Sequence, residues 1–466
     1  MPSLMRCQYC GLLQDEPAGV KACTRCGGEL IFEDKPTAGE QGSYLEAQME
    51  LDQVMAPAEQ NIDRYLLITL RTPSRVPPEQ AAPTESGRLP LSFTAVLDVS
   101  GSMHGGKLVH AKEAVRQSMQ RLHDGDMLSL VTFANKVHCV IEPTEMNPDT
   151  RQLVASTLDE ITAGGLTALC SGLEMGLEKA ATVKRETNLV LLLSDGQANV
   201  GETDLELVGQ RGYQGRQSGM IVSTLGVGGD YNEALLAEIA AQSGGRFYHV
   251  KQASQIGAYL TGELGEVAAL SARDAEIHIQ LQAGVVLFPL SAAYTARQDG
   301  DQVVVSIGGI PDDVDLEIPL RLSIPSQTVG ARLSVEGKVT YLSPAGNPLF
   351  TGLNRVTVRF KDVAPYELRD GVISPVVEQV LKQREAAQVL NFSRAIAIDP
   401  SQGAKQRRKD IDSLRAYASL LGDDRAEQVA KGFEARLAEM QSDKRAAKSQ
   451  VYAAFASIRS MKDFDD

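Results

Sequence analysis

Hydrophobic positions along the chain change their period three times. Over 44–55 and 63–72 they fall at near-alternate residues (Leu45, Ala47, Met49, Leu51; Leu66, Ile68, Leu70), the signature of half-buried strands. A segment rich in Pro, Glu and Ser at 73–90 reads as a loop. From residue 91, a short apolar run (93–97) and further candidate strands (127–133, 136–141, 188–193, 220–227, 247–250) take turns with amphipathic stretches (107–122, 148–161, 168–182, 205–218, 232–243, 253–270). Buried strands alternating with helices predict a doubly wound, mostly parallel α/β sheet whose ligand site lies beyond the carboxyl ends of the strands. After residue 271 alternation returns at 276–281, 302–307, 315–324, 331–342 and 355–360, as in an antiparallel β-sandwich. The strands before residue 73 complete that sandwich, so the α/β unit is expected as an insertion within it. Over 372–398, 402–421 and 424–460 apolar residues step by three and four (Val376, Val377, Val380, Leu381; Leu414, Tyr417, Leu420). This predicts a C-terminal hairpin of two or three helices, broken at Asp399-Pro400 and Gly422-Asp423.

Length and charge refine this picture. At about 100–200 residues per domain, 466 residues suggest roughly three domains. The pattern raises this to four modules, one of them split: a metal ribbon at 1–32, a β-sandwich divided between 33–90 (linker and first strands) and 271–364, the α/β unit at 91–270, and helices at 365–466. With 60 Asp+Glu against 46 Lys+Arg the net charge is −14, which argues against nucleic-acid coating as the main activity. No run of about 18 apolar residues occurs, and the first residues lack an apolar stretch after a basic start. A cytoplasmic protein with no membrane partner is therefore expected.

In that reducing compartment the six cysteines read as metal ligands or buried groups. Four form two knuckles, Cys7-x-x-Cys10-Gly11 and Cys23-x-x-Cys26-Gly27, twelve residues apart. Each knuckle can turn two thiolates towards one ion, and the spacing resembles a zinc ribbon holding Zn²⁺ in a four-sulfur site. Charges within the segment cancel (Arg6, Lys21, Arg25 against Asp15, Glu16, Glu29), which favours a structural or protein-docking role over nucleic acid.

At the predicted carboxyl edge, the first strand runs into Asp98-Val99-Ser100-Gly101-Ser102, and the strand at 188–193 runs into Ser194-Asp195-Gly196. Between them a glycine-loosened segment, Gly164-Gly165-Leu166-Thr167, opens a helix. Two carboxylates and three hydroxyls are hard oxygen donors suited to Mg²⁺, Mn²⁺ or Ca²⁺. Asp98-x-Ser100-x-Ser102, Thr167 and Asp195 together resemble the metal-ion-dependent adhesion site of von Willebrand factor A domains, with all five positions filled in order. The resemblance implies a Rossmann-like fold, with Ser100 and Ser102 binding the cation directly. Thr167 would bind directly or through water, and Asp98 and Asp195 mainly through water. It further implies a position left open for an Asp or Glu of a partner protein. The split sandwich around such a domain resembles bacterial YfbK-like and inter-alpha-inhibitor-like proteins.

Other chemistry fits less well. Gly101 to Lys107 satisfies the first seven positions of a phosphate-binding loop, but the eighth is Leu108 where a metal-binding hydroxyl is needed. No G-x-S-x-G elbow surrounds either serine, and none of the six histidines has an evident nucleophile partner, so a non-enzyme is expected. Cys139 and Cys170 read as buried apolar groups. The basic run Lys405-Gln406-Arg407-Arg408-Lys409 reads as a solvated helix face. A metal-dependent protein-binding scaffold is thus the first expectation. A regulatory subunit of an AAA+ ATPase or of a Ser/Thr kinase and phosphatase pair is the second, and nucleic-acid binding through the ribbon ranks last.

Overall fold

The computed structural model describes residues 44–73, 90–185, 187–195, 197–259, 264, 270–291, 294–344, 346–362 and 371–459, apart from the side chains of 400–402, 404 and 459. It also describes the backbone of 3–7, 13–16 and 30–32. Those three segments, β1 (Ser3–Cys7), β2 (Leu13–Glu16) and β3 (Leu30–Phe32), form an antiparallel sheet in the order β2-β1-β3. Cys7 ends β1 in register with Leu30, whereas Cys10, Cys23 and Cys26 lie outside the described residues.

The stretch at 44–55, expected as one strand, is two: β4 (Glu46–Leu51) and β5 (Met55–Pro57), followed by β6 (Ile62–Arg71). Asp52 causes the break. Its N–H donates to the Tyr65 carbonyl (2.9 Å) while its carboxylate accepts the Tyr65 N–H (3.0 Å), which turns the chain out of the ladder.

The α/β unit comprises β7 (Leu91–Asp98), α1 (Gly106–Arg121), β8 (Met127–Phe133), β9 (Val137–Glu145), α2 (Pro148–Glu160), α3 (Leu169–Thr182), β10 (Thr187–Ser194), α4 (Leu205–Gln217), β11 (Ile221–Val227), α5 (Glu233–Ser243) and β12 (Phe247–Val250). Its strands lie in the order β12-β11-β10-β7-β8-β9, parallel except for β9. Only three residues separate β8 from β9, too few for a crossover, so that pair is an antiparallel hairpin. All residues of β7 and β8 are buried, because alternate side chains enter opposite layers. Phe93, Ala95 and Leu97 pack with Leu108, Ala111 and Val115 of α1, whereas Val96, Val131 and Val190 face Leu173 and the α3 side. Gly176 lets α3 approach that face, since a Cβ there would stand 2.4 Å from Val96 Cγ2. Of the helix expected at 253–270, the described part is a 3-10 turn (Ala253–Gln255), residues 256–259 and Leu264.

The chain then supplies β13 (Leu270–Gln280), β14 (Val286–Pro289), β15 (Thr295–Asp299), β16 (Gln302–Pro311), β17 (Asp315–Ile324), β18 (Arg332–Leu342) and β19 (Pro348–Lys361). Two sheets result, β14-β17-β6-β4 and β15-β16-β13-β18-β19-β5, whose buried faces share one hydrophobic core. Strands from before the α/β unit thus pair with strands from after it, β6 with β17 and β5 with β19. Arg216, in the last turn of α4, donates to the Ser306 carbonyl in β16 (3.3 Å), which seats the amino edge of the parallel sheet on this β body.

Four described helices close the chain: α6 (Ser374–Ile398), α7 (Pro400–Ala418), α8 (Asp423–Ser442) and α9 (Lys444–Arg459). The single helix expected over 424–460 is therefore two, and the hairpin of two or three helices becomes four. Asp443 divides them, because its extended backbone ends α8 and its carboxylate caps α9 by accepting the Arg445 N–H (2.8 Å). α9 wedges against the α/β unit: the Lys448 ammonium donates to the Tyr231 carbonyl and to Glu233 Oε2 (2.6 Å), and the Phe455 ring stands edge-on to Phe247. Among the described residues no helix is long and apolar enough to cross a membrane.

Candidate metal centre at the carboxyl edge

Within the parallel sheet the connectivity reverses between β7 and β10, since β8 lies on the other side of β7. Loops leaving two such strands diverge and open a crevice. Asp98 ends β7 on one side of it; Ser194 ends β10 on the other and is followed by Asp195. Both aspartates are fully buried.

Beyond Asp98 the chain folds back on itself. The Ser100 N–H donates to Asp98 Oδ1 (2.8 Å), placing the Ser100 hydroxyl 3.1 Å from that of Ser102. The Ser102 hydroxyl donates to Asp195 Oδ1 (2.7 Å), and the Ser194 hydroxyl donates to Asp98 Oδ2 (2.6 Å). Four of the five residues expected at this edge are thus joined in one hydrogen-bonded cluster. The fifth, Thr167, is buried and comes in on its loop: the Gly164 N–H donates to the Val99 carbonyl (2.7 Å) and the Gly101 N–H to the Gly165 carbonyl (2.9 Å). Asn199 Oδ1 fixes the Thr167 backbone by accepting its N–H (2.8 Å).

Burial pushes the Asp98 carboxyl above the usual carboxylate range; the bonds from Ser100 and Ser194 pull it back, and the neighbouring Asp195 adds to the rise. The Lys107 ammonium donates to Asp195 Oδ2. Two carboxylates against one ammonium leave this cluster one positive charge short of balance. Its remaining donors are hydroxyl oxygens about 3 Å apart, an all-oxygen set that fits a hard divalent cation. Among the described residues there is no group of three or more His, Cys, Asp or Glu side chains able to hold a metal. Burial raises the Cys139 thiol to about 11 and also raises Cys170, so neither is a ready thiolate ligand or nucleophile. Leu108, at the position where a phosphate-binding loop needs a hydroxyl, is buried in the core.

Sequence reasoning gave no role in this cluster to Ser194, Lys107, Asn199 or Asn135, whose Oδ1 accepts the Leu166 N–H (2.6 Å). Lys107 carried a signal: a cation in the first turn of a helix opposes the macrodipole, so it needs a compensating anion. Ser194 and the two asparagines act across 31 to 96 residues of chain, and nothing local marks them.

Residues 94–261 match the family model of the von Willebrand factor type A domain. This chain carries a von Willebrand A domain. It is similar to protein sll0103 of Synechocystis sp., 26% identical over 64% of this chain and 72% of that protein. It is also similar to YfbK of Escherichia coli, 26% identical over 52% of this chain, and to human inter-alpha-trypsin inhibitor heavy chain H3, 27% identical over 49% of it. It spans only 42% and 26% of the lengths of those two relatives. Among solved structures, a von Willebrand factor type A protein from Catenulispora acidiphila superposes with a TM-score of 0.63 at 14% identity, covering 90% of this chain and 98% of that one. At that identity the likeness shows the fold alone.

Proposed function

We propose that the carboxyl edge of the von Willebrand A domain is a divalent-cation-dependent protein-binding site, and that the chain is a non-enzymatic adaptor. The observation carrying this reading is the convergence of Asp98, Ser100, Ser102 and Asp195 into one cluster of oxygens at the sheet's switch point. Ser100, Ser102 and Thr167 supply neutral donors, and Asp98 and Asp195 supply the charge. A bound Mg²⁺, Mn²⁺ or Ca²⁺ would supply a Lewis-acidic position attractive to a partner's Asp or Glu. Ser194 holds Asp98 in place, and Asn199 holds the Thr167 loop.

Calorimetric titration of MgCl₂ into the purified chain tests this. One site per chain is expected, with Asp98→Ala lowering the affinity by about 100-fold. Equal heats from the two proteins would sink the reading. The N-terminal segment belongs to the same proposal, as a structural Zn²⁺ site of Cys7, Cys10, Cys23 and Cys26. Support comes from the β1–β3 register, which brings Cys7 level with Leu30, four residues after Cys26. Elemental analysis of the same preparation reads that zinc directly.

A further inference from the structure

An isolated exposed leucine on a protein surface needs no explanation. Leu166 differs in two respects: it directly precedes Thr167, and its backbone is held on every side. Its own N–H donates to Asn135 Oδ1 (2.6 Å), and the next N–H, that of Thr167, donates to Asn199 Oδ1. The preceding Gly164 and Gly165 bond to Val99 and Gly101. Gly165 adopts φ +92°, and a Cβ there would stand 2.1 Å from Asn135 Oδ1, so this tight approach requires glycine. Consecutive bonds therefore turn Thr167 inward, 3% exposed, while Leu166 stays 50% exposed. A loop with no freedom to bury its leucine presents it ready-made to whatever docks, and such fixed apolar groups bind with little ordering cost. Two more exposed apolar side chains stand in the first turns of helices leaving the same edge, Val109 in α1 and Leu207 in α4.

We infer that this edge recognises a protein segment in which the acidic residue is flanked by a large apolar side chain, and that Leu166 reads the apolar neighbour. The inference rests on the cation-bridge reading above and adds the sequence context of the partner's carboxylate.

Fluorescence anisotropy of the full chain with labelled hexapeptides tests it, using centres Asp-Leu, Asp-Ser and Asn-Leu, in MgCl₂ and in EDTA. The Asp-Leu peptide should bind about five- to tenfold more tightly than Asp-Ser, the gain from half-burying one leucine on another. Leu166→Ser should bring the ratio to about one while leaving Mg²⁺-dependent binding of both Asp peptides intact, and Leu166→Met should restore it. Equal affinity of the two Asp peptides for the wild-type chain, with Mg²⁺ dependence kept, overturns the role of Leu166 alone. A preference that survives Leu166→Ser does the same. Failure of both Asp peptides to bind in Mg²⁺, or binding of Asn-Leu equal to that of Asp-Leu, overturns the cation bridge and this inference with it.

Discussion

Two clusters of buried carboxylate in this chain have opposite designs. At the sheet edge, Asp98 and Asp195 accept from small hydroxyls at the end of β10 and in the turn after β7, and Ser102 in the same cluster is exposed to solvent. At the junction of β body and helices, Asp52 is equally buried but closed in: it accepts from the Tyr65 N–H and the Tyr417 hydroxyl (3.2 Å). Arg384 of α6 stacks its guanidinium on both the Tyr65 and Tyr417 rings, 4.9 and 4.6 Å from their centroids. Burial raises Asp52 to about 6, against the pull of Arg64 and these hydrogen bonds. Burial of an acid is therefore no mark of function by itself. An acid facing hydroxyls on an open edge keeps polar neighbours and a solvent-exposed serine beside it, as the proposed cation site requires, whereas one sealed under aromatic rings fastens two layers together.

The largest test of this contrast is Tyr417→Ala. Removing a buried ring and the partner of Asp52 should cost about 3–5 kcal/mol in denaturant unfolding, with Mg²⁺ affinity unchanged. Loss of cation binding in that variant would show that the clusters are not independent. Next comes pH. The Asp52 carboxyl titrates near 3.8 when unfolded and near 6 when folded. Between those values the folded chain keeps a proton that the unfolded chain has lost, so stability falls as pH rises through the window. Below it both states are protonated and burial carries no charge penalty. Relative to Asp52→Asn, the wild type should lose about 2 kcal/mol between pH 4 and pH 6; parallel stability curves for the two proteins would contradict the assignment. Smallest is Ser194→Ala. It removes the bond to Asp98 Oδ2 and should weaken Mg²⁺ by about tenfold, with little change in melting temperature. An unchanged Mg²⁺ affinity would reduce Ser194 to a packing residue.

What was legible in the sequence divides along similar lines. The alternation of buried runs and amphipathic stretches led to the α/β fold, because strands covered on both faces are buried along their whole length and mostly apolar, as β7 and β8 are. Asp98, Ser100 and Ser102 stand within five residues, so local spacing alone could group them. Ser194 could not be assigned, because its role depends on β10 lying beside β7, a register that pairs Leu193 with Leu97. The Asp52–Tyr417 contact joins residues 365 apart and left no local trace. β14 and β15 also went unread, since their edge positions leave most residues exposed and erase the period of two. Asp443 was hidden in a helical pattern that continues on both sides of it.

The seating of the α/β sheet has a mechanical meaning. β7 enters at Leu91, on the edge that rests against the β body, and ends at Asp98 on the opposite edge. A pull on anything held at Asp98 and Ser100, resisted at Leu91, runs along the length of this strand. The bonds joining β7 to β10 and β8, spread from Leu91 to Asp98, lie across that direction. They take the load in shear, sharing it along the strand instead of opening one after another like a zip.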